Sequence, residues 1–183
     1  MSGDIEFRGS FGTDEVQKEP RNRRQRQVAV SGASGTREGD EAWALAEEVG
    51  RRLAEAGVAL VCGGGGGVME AASRAAAEAG GSVIGIVPGT SVEDANEYCS
   101  QVVATGIGHA RNLAVVSSGE AVIAIGGEWG TLSEIGFARV IGHEVVALRS
   151  WELDGRKRMR GGPGVVAVET AEEAVAAALA ALR

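Results

Sequence analysis

Glycines, a threonine and a glutamate stand close together in the segment GGEWGTLSE, residues 126–134, which directly follows the apolar run AVIAI. A glycine loop that leads into a helix exposes unpaired backbone N–H groups beside the positive end of the helix dipole, and this arrangement suits a phosphate group. Glu134 adds a carboxylate at the same point. The segment therefore predicts a site that holds a phosphate-bearing ligand beside a carboxylate, formed by Gly126, Gly127, Gly130, Thr131 and Glu134.

The same residues also fit a structural role. Thr131 as N-cap and Glu134 three residues later match a capping box, in which side chains and backbone satisfy each other's unpaired groups. Thr170 and Glu173 repeat this spacing before the last predicted helix, with no glycine run ahead of them. We interpret Thr170 and Glu173 as a capping box alone. For Glu134 we favour a ligand-facing role, with which capping can coexist.

Four other glycine-rich segments follow apolar runs: SGASGT (31–36), CGGGGGV (62–68), PGT (88–90) and TGIG (105–108). None matches the P-loop of nucleoside triphosphatases, because no lysine follows, and the first lacks the dinucleotide fingerprint G-x-G-x-x-G. A ligand of mononucleotide size fits better. The first two segments supply further candidate phosphate- or nucleotide-binding residues, namely Gly32, Ser34, Gly35, Gly64, Gly65 and Gly66.

Arg111 begins a second line of inference, because it lies early in the predicted helix after TGIG. A cation at a helix N-terminus is disfavoured by the dipole, so an anionic partner is expected nearby. A ligand phosphate, a carboxylate of the site or a surface salt bridge would each satisfy that expectation. His109 has the chemistry of a general acid or base, but without an evident partner we interpret it as a surface or capping residue.

Apolar strand-like runs alternate with helical patterns along the chain, which indicates a parallel sheet covered on both faces. Right-handed crossovers then give a doubly wound, Rossmann-like α/β fold, and all five glycine-rich segments lie at the carboxyl edge of its strands, where such folds bind ligands. The predicted strands are 27–31, 58–62, 82–87, 101–104, 121–125, 144–148 and 164–168, and the predicted helices are 41–56, 68–79, 107–118, 131–141 and 171–182.

Length and charge limit the protein further. With 183 residues, we expect residues 27–183 to form a single domain and residues 1–26 to form a disordered tail. The net charge of −7 argues against nucleic acid as a partner. Cys62 and Cys99 lie in such different contexts that they suggest neither a metal cage nor a disulfide framework. We therefore expect no metal site. The sequence has no signal pattern and no apolar run of membrane-spanning length, so we expect a cytoplasmic protein.

The motifs CGGGGGVMEAA, VPGTS, GHARN and AIGGEWGTLSE together resemble the LOG-type superfamily, whose characterised members are cytokinin riboside 5′-monophosphate phosphoribohydrolases. The resemblance extends from Val28 to Val168. It implies that Glu134 and Arg111 are catalytic residues, that the glycines of 126–130 and Thr131 bind the ligand, and that the protein is a homodimer or higher homo-oligomer. The lysine decarboxylase label once used for this superfamily lacks chemical support, because the only lysines, Lys18 and Lys157, lie away from the predicted site.

Two residues depart from the hydrolase pattern. Ile125 stands where the hydrolases have proline, and Asn112 stands where they have lysine after the arginine. These changes resemble the branch that includes the algal molybdenum cofactor carrier protein. The resemblance thus leaves three functions open: hydrolysis of the N-glycosidic bond of a nucleoside 5′-monophosphate, which requires no cofactor; non-catalytic binding of a nucleotide or molybdopterin as a carrier; and an interaction module that kept only the fold.

Overall fold

The computed structural model of the protein describes residues 24–151 and 164–182. Its strands are β1 (Gln27–Gly32), β2 (Ala59–Cys62), β3 (Val83–Val87), β4 (Gln101–Ala104), β5 (Ala121–Ile125), β6 (Glu144–Leu148) and β7 (Val165–Val168). Its helices are α1 (Glu41–Glu55), α2 (Val68–Glu78), α3 (Arg111–Ser118), α4 (Trp129–Val140) and α5 (Ala171–Ala181), with short 3₁₀ turns at Val92–Asp94 and Gly108–Ala110. The predicted tail lies largely outside the described residues.

All seven strands are parallel and form one sheet in the order β4-β3-β2-β1-β5-β6-β7. Alternate residues of the central strands point to opposite faces, so each strand contributes to two apolar clusters. Val28 and Val30 of β1 pack with α1, α2 and α5, whereas Ala29 between them packs with α3 and α4. This arrangement confirms the prediction of a doubly wound, Rossmann-like sheet with helices on both faces.

The order in which strands are added to the sheet changes direction between β1 and β5. From β1 the chain proceeds outward through β2 and β3 to β4, and α3 then returns it to β5 on the other side of β1. The loop after β1 leads to α1 on one face, and the loop after β5 leads to α4 on the other face. These loops therefore diverge and leave a crevice at the carboxyl ends of β1 and β5, the position where open α/β sheets bind ligands.

The two capping boxes predicted from sequence have different outcomes. The box at Thr170 is confirmed, because its hydroxyl accepts from the Glu173 N–H and the Glu173 carboxylate accepts from the Thr170 N–H. The prediction of a capping box at Thr131 is wrong. Helix α4 begins at Trp129, two residues earlier than predicted, and its N-cap is Glu128. Gly126 and Gly127 turn the chain with φ values of 54° and 124°, so that Thr131 already lies within the first helical turn.

The helix after TGIG, in contrast, begins later than predicted. Residues 108–110 form a 3₁₀ turn, and α3 starts at Arg111.

In the described ranges, no helix combines the length and the apolar character that a membrane span requires.

Candidate functional site

Glu134 is the central polar residue of the crevice. It lies on the inner side of α4, where only 7% of its surface is exposed. One carboxylate oxygen accepts a hydrogen bond from the Ser31 hydroxyl on β1, and the other lies 3.8 Å from Nη1 of Arg111, the first residue of α3. Three separate elements thus bring a hydroxyl, a guanidinium and a carboxylate together at the point where the sheet changes direction.

Opposing effects act on the acidity of Glu134. Burial raises the pKa of this carboxyl above its ordinary value, while the Ser31 hydrogen bond and the positive charge of Arg111 act to lower it, and burial prevails. A carboxyl that is desolvated beside a specific charge partner is characteristic of functional sites, where the pKa is adjusted to a chemical task. The raised pKa of Glu134 makes this residue a candidate for a functional role.

Arg111 reaches the carboxylate because Gly63 has no side chain. A Cβ atom at residue 63 would overlap the guanidinium itself, so the first glycine after β2 provides the space in which Arg111 lies. The Nε atom of Arg111 is buried and has no hydrogen-bond partner among the described residues. A buried donor without a partner costs on the order of 1–3 kcal/mol, so Arg111 retains capacity for a further acceptor.

Asn112 fixes the relative position of α3 and α4. The residue is 7% exposed, and its Nδ2 donates to Ser133 Oγ at 3.0 Å. The Ser133 hydroxyl in turn donates to the Gly130 carbonyl oxygen at 2.7 Å. The amide that stands in place of the hydrolases' lysine is thus engaged in joining the helices, and it brings no charge to the site.

These residues surround a cleft of about 230 Å³. It opens beside the first turn of α4, whose N-cap makes no side-chain hydrogen bond within the part of the chain described, so the Gly130 and Thr131 N–H groups remain available to an anion. Among the described residues, no group of three acidic, histidine or cysteine side chains could hold a metal ion. The cleft is lined by Gly32, Ala33, Ser34, Met69, His109, Arg111, Asn112, Glu128, Gly130, Thr131 and Glu134.

Some of the site residues predicted from sequence line the cleft, and others do not. Six predicted residues line it: Gly32, Ser34, Arg111, Gly130, Thr131 and Glu134. Six do not line it, namely Gly35, Gly64, Gly65, Gly66, Gly126 and Gly127. Several of the second group shape the surrounding loops, as Gly127 does where a Cβ would lie 2.7 Å from Thr131 Cβ. Their direct contact with a ligand stays a prediction.

Ser31 and Asn112 take part in the site although sequence patterns did not select them as site residues. Ser31 follows three buried residues of β1 and is itself 2% exposed. The sequence feature that could have identified it is a polar residue at the end of an apolar strand. His109 is exposed, in agreement with the interpretation of a surface residue, and it also lines the cleft. Trp129 is 77% exposed and packs against Trp151, with ring centroids 5.6 Å apart, so it extends the surface near the first turn of α4.

Residues 25–175 match the profile of the SLOG cluster4 family. The chain belongs to the SLOG cluster4 family. The LOG-type resemblance of the sequence motifs is thereby confirmed.

Individual relatives of this SLOG cluster4 chain differ in how much of their length they share with it. An uncharacterised Archaeoglobus fulgidus protein is 41% identical over 123 residues, which are 67% of this chain and 80% of the relative. A cytokinin riboside 5′-monophosphate phosphoribohydrolase of Arabidopsis thaliana is 40% identical over 114 residues, which are 59% of this chain and 48% of the enzyme. The chain thus spans about half the length of that hydrolase.

A solved structure of the molybdenum cofactor carrier protein from Chlamydomonas reinhardtii resembles the SLOG cluster4 chain over nearly the whole of the carrier. The two share 28% identity with a TM-score of 0.74, and the match covers 86% of this chain and 98% of the carrier. The structural similarity confirms the suspected branch of the superfamily.

The balance of forces on Glu134 predicts the direction of two pKa changes. Replacing Ser31 by alanine removes a hydrogen bond that favours the ionised carboxylate, so the Glu134 pKa is expected to rise further, and Arg111→Met should also raise it. Carbon-detected NMR titration of the glutamate carboxyls measures both changes, with Glu134→Gln assigning the signal. A lower pKa in either variant would contradict this account of the site.

Gly127 and Gly130 form a matched pair for a test of backbone geometry. Gly127 has a φ of 124° and its added Cβ would overlap Thr131, whereas a Cβ on Gly130 meets no atom within 4 Å. We expect Gly127→Ala to lower the free energy of unfolding by about 1–3 kcal/mol. Gly130→Ala, in a helix, should leave it unchanged or raise it by up to about 1 kcal/mol. Urea unfolding measures both, and equal losses would show that Gly127 is not strained.

Proposed function

We propose that this protein hydrolyses the N-glycosidic bond of a nucleoside 5′-monophosphate, giving the free base and ribose 5-phosphate. The observation that carries the proposal is the buried Glu134 carboxylate, which lies in a cleft beside Arg111 and the uncapped first turn of α4. Glycosidic cleavage develops positive charge on the sugar ring, and a fixed carboxylate stabilises or attacks that charge. The similarity to the Arabidopsis hydrolase supports the same assignment.

Several other residues of the cleft suit the phosphate. The Gly130 and Thr131 N–H groups would hold it at the positive end of the α4 dipole, with Ser34 across the cleft. Arg111 would pair with phosphate oxygens or keep Glu134 oriented, because its guanidinium borders both the carboxylate and the open space.

The volume of the cleft is consistent with part of such a ligand. At about 230 Å³ it is smaller than the roughly 300–1,000 Å³ usual for complete small-molecule sites. A phosphoribosyl group would occupy the cleft, and the base would extend toward its open side. No cofactor is needed for this reaction, because the bond is cleaved by water: the sugar carbon gains the hydroxyl and the base nitrogen gains the proton.

A carrier function is the second candidate, and a specific observation favours it. The fold of this chain matches that of the Chlamydomonas carrier along 98% of the carrier's length. In addition, Asn112 supplies no charge where the hydrolases have lysine. In this alternative the same first turn of α4 would hold the phosphate of a pterin cofactor such as molybdopterin, which would be cargo, and no bond would break.

A panel of nucleoside 5′-monophosphates separates the two candidates. We expect the wild-type protein to release free base and ribose 5-phosphate, detected by chromatography, and we expect Glu134→Gln to reduce release by at least about a hundredfold, as loss of an essential charged group does. Gly130→Ala is a matched control: its methyl group would enter the cleft, so ligand binding should weaken while the fold remains stable.

Release that persists in Glu134→Gln would contradict the assigned role of this residue. Ligand-dependent thermal stabilisation without any release, retained in Glu134→Gln, would instead support a carrier.

We also propose that the protein acts as a homo-oligomer. Helices α3 and α4 expose the apolar residues Leu113, Phe137, Val140 and Ile141, and Val140 is 75% exposed. Exposed apolar side chains on neighbouring helices are typical of surfaces that associate with another chain. The relatives implied by the sequence resemblance are dimers or larger, which makes a second copy the expected partner.

Light scattering after size-exclusion chromatography measures the oligomeric state. The wild-type protein is expected to show at least twice the chain mass of 18.7 kDa, and Val140→Glu should shift it toward one chain. Val92→Glu, at an exposed residue remote from α4, serves as control. A wild-type protein with the mass of a single chain would refute the proposal.

A further inference from the structure

The two cysteines, distant in sequence, meet beneath the glycine loop that follows β2. Cys62 ends β2 and is fully buried, and Gly85 is its partner on the neighbouring strand β3. A Cβ atom on Gly85 would lie 2.7 Å from the Cys99 sulfur, so Cys99 occupies the space that the glycine leaves beside Cys62. The two thiols are thus neighbours, and their interaction shifts the pKa of each. The sequence contexts of the two cysteines suggest no disulfide framework, and both are free here, yet the fold places them side by side.

The surroundings of Cys62 favour its thiolate. The neighbouring Cys99 thiol lowers the pKa of Cys62 to about 7, and Ser73, the Gly64 N–H and the charge of Arg111 contribute to this against the effect of burial. The pKa of the Cys99 thiol is raised by the same contact. At neutral pH the pair thus readily loses one proton and shares the other, which is the state in which thiols react with oxidants.

Cys99 is also connected to the glycine loop. Its thiol lies 3.5 Å from Oδ1 of Asn96, whose backbone N–H donates to the Gly64 carbonyl oxygen at 2.7 Å. The Asn96 side-chain amide donates to the Gly65 carbonyl oxygen at 2.9 Å. Cys62 is bonded to the same loop through the Gly64 N–H, at 3.4 Å. A change at either sulfur therefore reaches the loop over which Arg111 lies.

We propose that Cys62 and Cys99 form a redox-sensitive pair, and that their oxidation to an intramolecular disulfide loosens the glycine loop and weakens ligand binding in the cleft. The effect on the ligand rests on the function proposed above, whereas the disulfide itself does not.

The oxidant required is a peroxide, and the step balances with it. Cys99 is partly exposed and meets the peroxide first. Its proton passes to the Cys62 sulfur, its thiolate attacks one peroxide oxygen, and the O–O bond breaks. The released hydroxide takes the proton from Cys62, which leaves a sulfenic acid on Cys99, one water and a Cys62 thiolate. The Cys62 thiolate then attacks the Cys99 sulfur, the S–O bond breaks, and the departing hydroxide takes up a proton as a second water. Two thiols and one peroxide thus yield one disulfide and two waters.

Disulfide formation would change the loop in two ways. The sulfurs must approach to about 2.05 Å, which moves Cys99 together with the Asn96 bonds to Gly64 and Gly65. The negative charge on Cys62 is also lost, and with it the attraction to Arg111 and a good acceptor for the Gly64 N–H. Arg111 would then be held less firmly beside Glu134.

The test begins with the reduced full-length protein and one equivalent of hydrogen peroxide. Peptide mapping after thiol alkylation should show a Cys62–Cys99 linked peptide, lost again on treatment with dithiothreitol. Deuterium uptake at residues 63–67 should increase in the oxidised protein. Binding of ribose 5-phosphate, followed by calorimetry, should weaken by about fivefold or more, the lower range of coupling between sites. Cys99→Ser should show none of these changes, and Cys62→Ala is a second variant lacking the pair.

The possible outcomes distinguish the two proposals. Absence of the linked peptide would overturn the redox pair, and a linked peptide with unchanged deuterium uptake would overturn the loosening of the glycine loop. A linked peptide and increased uptake with unchanged ribose 5-phosphate affinity would overturn the coupling to the cleft. If the reduced protein fails to bind ribose 5-phosphate, the proposed function loses its support, while the redox pair is still decided by mapping and deuterium uptake.

Discussion

The burial of the Glu134 carboxylate is the constraint on which the rest of the site depends. An ionised group away from water is costly unless it is paired and hydrogen-bonded, and here the compensation comes from Ser31 on β1 and Arg111 on α3. Arg111 lies in the space that Gly63 leaves open, which a Cβ atom at residue 63 would overlap. The burial of this one carboxylate on α4 thus depends on particular residues in β1, in α3 and in the loop after β2. An apolar residue at position 134 would need neither a hydrogen bond nor a charged partner. We therefore propose that Glu134 is present for function and not for stability.

The fold was predictable because its central strands are buried on both faces. Runs such as AVIAI of β5, in which every residue is buried, cannot be confused with half-exposed strands, and their alternation with helices leaves few topologies open. The start of α4 was not predictable from the same information. Thr131–Glu134 and Thr170–Glu173 share one local pattern, yet only the second forms a capping box. The positive φ values of Gly126 and Gly127 start the first helix earlier, and tertiary contacts draw Glu134 to Ser31.

The composition of the site shows the same division between local and long-range information. Glu134 and Arg111 could be selected because glycine loops and helix starts are visible in sequence. Ser31 could not, because its role depends on the register in which it lies opposite Ala124 and on the position of a helix far along the chain. Asn112 depends likewise on how α3 packs against α4. The pairing of the two cysteines depends on Gly85, a residue that belongs to neither local pattern.

The two departures from the hydrolase pattern are unequal in their physical consequences. Ile125 is fully buried in the apolar core and lies between Gly32 and Leu148 in the sheet ladder, so its side chain is directed to packing and not to the cleft. A proline there would remove one N–H, which affects the end of the strand and not the charge of the site. Asn112 differs, because an amide replaces a cation immediately beside Arg111. With one positive charge fewer, Arg111 would have to balance Glu134 and also attract the phosphate of the proposed ligand. Asn112 therefore bears on the proposed choice between hydrolysis and carriage more directly than Ile125 does.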